Sequence, residues 1–302
     1  MSIKLFLLEL AAKKGRRQAV RRVQRLGHVK GQEFMVPREN AKPVMTYLYR
    51  PAGGGENMPA VFNVHGGAWV GGDALLLDTQ SQEMADRLGA MVVNINYVKA
   101  DVKPFPYAQY EIRDTVLYFA DHAKEYNIDA QRFAVMGYSV GGHLSACAAQ
   151  LLQQDGIRLS CQVLCYPFLD FTFQGGKNNE MKDILTGLKG VSKIFFPKLA
   201  ATDPLVSPGL IPEQRLKELP PTIFVTCGQD ALKSHADGYA ARLKEAGVSV
   251  HMLDYPDSIH GFLECNFPET EDNNEAKSPA QKALCDQCEH DIAQILCEIW
   301  DV

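Results

Sequence analysis

A short apolar run ending at Met136 leads into Gly137-Tyr138-Ser139-Val140-Gly141, and a helix-like run follows from Gly142 to Leu152. This junction restricts the fold more than any other part of the chain. A serine at a sharp strand-to-helix turn has its hydroxyl thrust out above the sheet, within reach of a substrate. Such a turn is crowded and strained, and small residues on either side relieve the crowding. Gly137, Gly141 and Gly142 meet that need.

The surroundings of the turn repeat its logic. From residue 43 onward, short apolar runs at 44–49, 60–64, 91–95, 133–136, 161–166, 222–227 and 248–253 read as strands. Helix-like stretches at 79–88, 107–125, 141–153 and 235–246 lie between several of them. Alternating strands and helices predict an α/β fold: a mostly parallel sheet with helices on both faces. Ligands of such sheets bind at the carboxyl ends of the strands. Residues 171–200 interrupt the alternation. Their apolar positions at Met181, Ile184, Leu185, Leu188, Val191, Ile194 and Phe195 predict an inserted helical pair. Residues 266–279 are polar and acidic and read as an exposed loop. A last amphipathic helix follows, with Leu284, Cys288, Ile292, Ile295 and Ile299 on one face.

The chain has 302 residues, 46% of them hydrophobic, enough for one large domain or two small ones. A net charge of −5 gives no reason to expect nucleic acid as a partner. No apolar run is long enough for a stable membrane span, and the first residues are too short and too charged for a signal peptide. The 8 cysteines sit mostly inside apolar runs and read as reduced thiols of a cytoplasmic protein. Residues 1–30 carry Lys4, Lys13, Lys14, Arg16, Arg17, Arg21, Arg22, Arg25 and Lys30 against Glu9. Leu5, Leu8, Ala12, Ala19, Val23 and Leu26 recur at near-helical spacing, with Gly15 interrupting the face. That pattern fits an amphipathic helix lying on the domain with solvated cations. Contact with anionic lipid is the sharper alternative.

A serine hydroxyl is a poor nucleophile until a base takes its proton. A histidine, with a pKa of about 6.5, is neutral near pH 7 and suits the task. A carboxylate must hold the imidazole in the right tautomer. On a sheet of this kind the order along the chain is Ser, then Asp or Glu, then His. Asp230 follows the run 222–227 through the turn Gly228-Gln229, and His260 follows the run 248–253. Both leave strand ends on the edge that carries Ser139. His143 reads as a packing or capping residue one turn beyond the serine, and His235 and His251 fall inside a helix and a strand. Asp203 and Asp237 remain open as acids, while Asp254 and Asp257 stand too near His260 in sequence. The attack creates an oxyanion that needs preorganised donors. The run His65-Gly66-Gly67-Ala68-Trp69 follows a strand and can turn backbone N–H groups toward a ligand, with the N–H of Val140 completing the hole.

The chain resembles the hormone-sensitive-lipase-like branch of the α/β-hydrolases, the group of bacterial carboxylesterases and acetyl esterases. The matching pieces are His65-Gly66-Gly67-Ala68-Trp69, Phe105-Pro106, Gly137-Tyr138-Ser139-Val140-Gly141-Gly142, Asp203-Pro204 with Ser207-Pro208, Gly228-Gln229-Asp230 and His260-Gly261-Phe262. The resemblance implies an eight-stranded, mostly parallel sheet in a catalytic domain over residues 43–302. It also implies a helical cap built from an N-terminal segment, 1–42, and the insertion at about 171–200. It implies Ser139 as nucleophile, Asp230 as acid and His260 as base. Gly67, Ala68 and Val140 would form the oxyanion hole, with His65 and Gly66 as the supporting loop. Ala68 stands where the family often has a third glycine, and Tyr138 where many members carry an acid. The implied activity is that of a serine carboxylesterase hydrolysing short-chain acyl esters, acetyl esters above all, through an acyl-enzyme, with a small-molecule ester as partner and no cofactor. A lipase, an amide or formamide hydrolase on the same residues, and a non-catalytic binding module are the alternatives. Exposed edge strands and cap residues leave a homodimer open.

Metal and nucleotide readings find little footing. Cys285-x-x-Cys288 lacks a second ligand pair, and its spacing matches a buried helix face, so no metal is expected there. Gly53-Gly54-Gly55 lacks the helix that phosphate binding requires.

Overall fold

The computed structural model describes residues 3–27, 29–172 and 201–302, with side chains described from residue 10 onward. The chain enters through helix α1 (Ile3–Arg25) and strands β1 (Gln32–Val36), β2 (Val44–Tyr49) and β3 (Met58–Val64). Helix α2 (Asp78–Leu88), β4 (Met91–Ile95), helix α3 (Tyr107–Asp121), β5 (Ile128–Tyr138), helix α4 (Val140–Gln154) and β6 (Cys161–Cys165) follow. Beyond residue 200 come α5 (Glu213–Leu216), β7 (Thr222–Cys227), α6 (Lys233–Glu245), β8 (Val250–Tyr255), α7 (Phe262–Cys265) and α8 (Pro279–Trp300).

The strands form one 8-stranded sheet in the order β1-β2-β4-β3-β5-β6-β7-β8. β1 and β2 run antiparallel to their neighbours, and all other pairs are parallel. β1 escapes the apolar pattern because it is an edge strand. Gln32 and Glu33 face solvent and only Val36 is buried, so its run reads as polar. It pairs with β2 through Phe34↔Thr46 and Val36↔Val44. Several boundaries also differ from the sequence reading. β5 begins at Ile128 rather than 133, β3 at Met58 rather than 60, α3 ends at Asp121 rather than 125, and β8 lies two residues later than the run 248–253.

The central strands are buried on both faces, as parallel strands between helical layers must be. Their side chains divide by the two-residue period. Val61, Ala134, Met136 and Tyr138 pack with Met84, Ala85 and Leu88 of α2 and with Cys285, Cys288, Ile292 and Leu296 of α8. Phe62, Val64, Phe133 and Val135 pack on the other face with Ile112, Val116 and Phe119 of α3 and Leu144, Ala148 and Leu152 of α4. α6 closes that layer over β7 through Ala236, Tyr239 and Leu243 against Phe224. The buried stripe of α8 is centred on Cys285, Cys288, Ile292 and Leu296, while Leu284, Ile295 and Ile299 lie at its partly buried margin. The expected face is therefore rotated by about one residue.

All 8 cysteines are free thiols, and most are buried. Burial pushes the Cys165 and Cys288 thiols well above their ordinary range, the behaviour of small hydrophobes. Cys285, Asp286 and Glu289 hold ligand atoms within 4.8 Å of one another. Burial pushes the Cys285 thiol up as well.

α1 runs through Gly15 without a break. A mid-helix glycine costs about 1 kcal/mol, which tertiary contacts offset here. Val23 is buried, Arg16 pairs with Asp101 at 2.8 Å, and Arg22 donates to the Glu269 carbonyl at 3.1 Å and pairs with Glu271. Two of the cations expected to be solvated thus tie the helix to the domain. The inserted helical pair read at 171–200, with Leu185 and Phe195 among its apolar positions, lies almost wholly outside the described residues. No described helix is long and apolar enough to cross a membrane.

Candidate active site

Sheet register sets the site. Val64 of β3 pairs with Gly137 of β5, Tyr138 with Cys165 of β6, Cys165 with Val225 of β7, and Cys227 with Tyr255 of β8. The strands therefore end nearly level, and the loops after β3, β5, β7 and β8 converge on one edge.

Ser139 sits at φ 54° and ψ −116°, a strained conformation between β5 and α4. Two glycines make it possible. A Cβ on Gly137 would stand 2.2 Å from the Gly141 carbonyl oxygen, and one on Gly141 would stand 2.0 Å from that of Val64. No side chain fits at either position. The Ser139 N–H donates to the Cys165 carbonyl at 2.8 Å, which fixes the turn to β6.

His260 arrives on the loop after β8. The start of α8 pins that loop, since the Gln281 side chain accepts from the Ile259 N–H at 3.2 Å and donates to the Asp257 carbonyl at 2.9 Å. The imidazole Nε2 lies 2.9 Å from Ser139 Oγ, and Nδ1 lies 2.6 Å from Asp230 Oδ2. Asp230 can only accept, so Nδ1 carries the proton and Nε2 is free to receive one from the serine. The Asp230 side chain is 3% exposed, and its other oxygen accepts from the Leu232 N–H at 2.9 Å. The carboxylate is thereby held in one orientation. Burial pulls the imidazole pKa down, but the hydrogen bond and charge of Asp230, with the charge of Glu264, outweigh it and leave the pKa above 6.5.

A consequence for pH dependence follows from that sign. A base must be neutral to accept a proton, so with His260 in that role activity should fall as pH drops through a pKa raised above 6.5. A kcat/KM profile should show an acid limb on the high side of 6.5. A rate flat down to pH 4 would remove the imidazole from the reaction.

Asp203, Asp237, Asp254, His143 and His235 are engaged elsewhere. Asp203 closes its own turn, accepting from the Leu205 N–H at 2.8 Å. Asp254 accepts from Lys233 at 2.6 Å and Thr226 at 2.7 Å, and Asp237 lies 4.0 Å from Lys233. His143 is fully buried, with Nε2 2.9 Å from the Val206 carbonyl and Nδ1 3.3 Å from Trp69 Nε1. Burial lowers its pKa to about 4. His235 Nδ1 accepts from the Leu169 N–H at 3.1 Å.

The loop after β3 wraps beside the serine. Gly67, Ala68 and Trp69 have φ of 124°, 50° and 62°, a run in the left-handed region. The glycine expected at position 68 would relax such a backbone, whereas Ala68 holds it under strain. The Gly67 carbonyl accepts from the Gly71 N–H at 2.6 Å, and the Trp69 carbonyl from that of Ala100 at 2.9 Å. Val140 opens α4, where the N–H has no intrahelical partner. A cavity of ≈ 390 Å³ joins these pieces, lined among others by Ala68, Trp69, Val140, Phe168, Leu232 and His260. Trp69, Phe168 and Phe171 pack as an aromatic cluster with ring centroids 4.6–5.4 Å apart.

Two residues escaped the sequence reading. Glu264 accepts from the Gly66 N–H at 3.2 Å and adds negative charge near His260. Its place four residues after His260, across the start of α7, was the available signal. Lys99 places its ammonium 3.0 Å from His65 Nε2. Nothing in the sequence around it distinguishes it from a surface lysine.

A family model described as alpha/beta hydrolase fold matches residues 61–264. The chain is similar to an arylesterase of Saccharolobus solfataricus, 30% identical over 68% of this chain and 69% of the relative. It is similar also to carboxylesterase NlhH of Mycobacterium tuberculosis, 30% identical over 72% of this chain and 70% of the relative. Among solved structures, an esterase of Pyrobaculum calidifontis superposes with a TM-score of 0.79 at 26% identity, covering 98% of this chain and 94% of that one.

Proposed function

The chain belongs to the family of the alpha/beta hydrolase fold, and from that premise we propose that it is a serine carboxylesterase acting on short-chain, acetyl-type esters. The observation that carries this reading is the relay from Ser139 Oγ through His260, 2.9 Å away, to Asp230, a further 2.6 Å on. His260 Nε2 takes the hydroxyl proton as Oγ attacks the ester carbonyl. The N–H groups of Gly67, Ala68 and Val140 receive the oxyanion. The protonated His260 returns its proton to the departing alcohol, leaving an acyl group on Ser139. Water then attacks with the same base, and the acid leaves. The esterases among the similar proteins support this chemistry.

The short-chain preference rests on the cavity. At ≈ 390 Å³ it lies at the small end of ligand pockets, which run about 300–1,000 Å³. Trp69, Phe168 and Leu232 give it an apolar wall suited to an acyl group.

A fluorophosphonate probe tests the mechanism. It should modify Ser139 once per chain and abolish hydrolysis, and labelling elsewhere with activity intact would remove the serine mechanism. A panel of acetyl, butyryl and octanoyl esters tests the substrate class, with kcat/KM expected to fall as the chain lengthens. Faster turnover of emulsified long-chain lipid would favour a lipase, and of aryl amides or formamides an amide hydrolase.

A further inference from the structure

Lys99 is 6% exposed, yet its ammonium is fully engaged. Nζ lies 3.0 Å from His65 Nε2, 3.1 Å from Asn96 Oδ1 and 2.6 Å from the Tyr97 carbonyl oxygen. It also stands 4.0 Å from the centroid of the Tyr97 ring, on which His65 stacks at 4.4 Å. Asn96 is held in turn by Asp73, its side-chain amide donating at 3.0 Å.

These contacts favour one tautomer, with Asn96 a side-chain hydrogen-bond partner of His65 as well as of Lys99. An ammonium has three donors and no acceptor, and the two oxygens take one each. The third goes to His65 Nε2, which must be unprotonated to receive it. The His65 proton therefore sits on Nδ1, 2.6 Å from the Gly66 carbonyl oxygen. That carbonyl and the Gly67 N–H belong to one rigid trans peptide plane and point in opposite directions. Holding the carbonyl back toward His65 turns the Gly67 N–H the other way, to the side where the oxyanion is expected.

We propose that Lys99 is a positioning residue for the oxyanion loop: its ammonium fixes the His65 tautomer, and His65 aims the Gly67 N–H. The inference rests on the esterase reading and adds a residue to it. Lys99 touches no substrate and acts only through His65.

Loss of the Lys99 proton would break the arrangement. A neutral amine has two donors and a lone pair, so one of three acceptors would face that lone pair. A His65 that answered by moving its proton to Nε2 would release the Gly66 carbonyl. The groups around Lys99 show when this happens. Burial lowers its pKa to about 7, with Asp73, Glu111 and Asp101 opposing that fall and Arg16 adding to it. His65 faces it directly, and Arg17 and Arg21 of α1 line a cavity of ≈ 470 Å³ together with Lys99. Glu264 stands on the far side of the loop, on the Gly66 N–H. The wild-type profile of kcat should therefore carry an alkaline limb well below the ordinary lysine range.

Lys99→Met tests the proposal on the full chain. Expected are a fall in kcat of about 10–100-fold, within the cost of one misplaced oxyanion donor, a KM within about threefold of wild type, and loss of the alkaline limb with the acid limb kept. Unchanged kcat, or a loss that leaves the alkaline limb in place, overturns it. His65→Ala and the double variant supply a cycle. If Lys99 acts through His65, the double variant loses no more than His65→Ala, and additive losses overturn the proposal. Should Lys99→Met fail to fold, Lys99→Gln retains two donors and the same readouts apply. Fluorophosphonate titration separates this test from the esterase reading: wild-type Ser139 that does not label sinks that reading, whereas labelled wild type with unaltered Lys99→Met kinetics sinks only the role of Lys99.

Discussion

Ser139→Ala should lower turnover by about 10⁶ while the protein unfolds at nearly its wild-type temperature. The two parts of this expectation have separate origins. In the proposed mechanism Oγ is the attacking atom, and His260 Nε2, 2.9 Å away, takes its proton. Removing it leaves the oxyanion donors and the binding cavity but no covalent route. The fold should not notice, because the Ser139 side chain caps no N–H of α4 and the turn is held by its backbone bond to Cys165. An alanine at φ 54° is no more strained than the serine it replaces. Steady-state kinetics and a thermal melt on the same preparation check both parts. Activity near wild type would end the proposed mechanism, whereas a collapsed melting temperature would mean that the turn depends on the hydroxyl.

Asp230→Asn should cost about 10⁴ in kcat. The change is nearly isosteric, and an asparagine oxygen can still accept from the Leu232 N–H, so the loop should keep its shape. What changes is the partner of His260 Nδ1. An amide group presented there favours the tautomer with its proton on Nε2, which cannot accept from Ser139. The lost negative charge has a second effect. Asp230 raises the imidazole pKa against the pull of burial, so the acid limb of the residual activity should move to lower pH. Asp203→Asn is the control, since Asp203 is committed to its own turn. A larger loss there than at Asp230 would show that the wrong carboxylate has been named.

Much of this site was legible because its parts are local. Strand, sharp turn and helix around Ser139 are encoded within a dozen residues, and the glycines there report a close approach, since a Cβ on Gly137 or Gly141 would stand 2.0–2.2 Å from a backbone oxygen. Asp230 and His260 were found by their position after apolar runs, a pattern that survives because buried parallel strands are apolar on both faces. The edge strand β1 was missed for the converse reason: it is half solvated and carries Gln32 and Glu33 outward. The cations of α1 looked alike in sequence, and only folding separated Arg16 and Arg22, which bind acids and carbonyls of distant loops, from their neighbours.

The amino-acid order by itself determined the alternating architecture, the strand-to-helix turn at Ser139 and the order of the residues that meet there, because propensity, glycine placement and apolar runs act over short distances. Tertiary structure alone decided which charges stand behind the loop after β3. Glu264 on the Gly66 N–H and Lys99 on His65 are joined by contacts across 198 and 34 residues. Electrostatic influence falls with distance in space and is blind to separation along the chain, so no local pattern could announce either one.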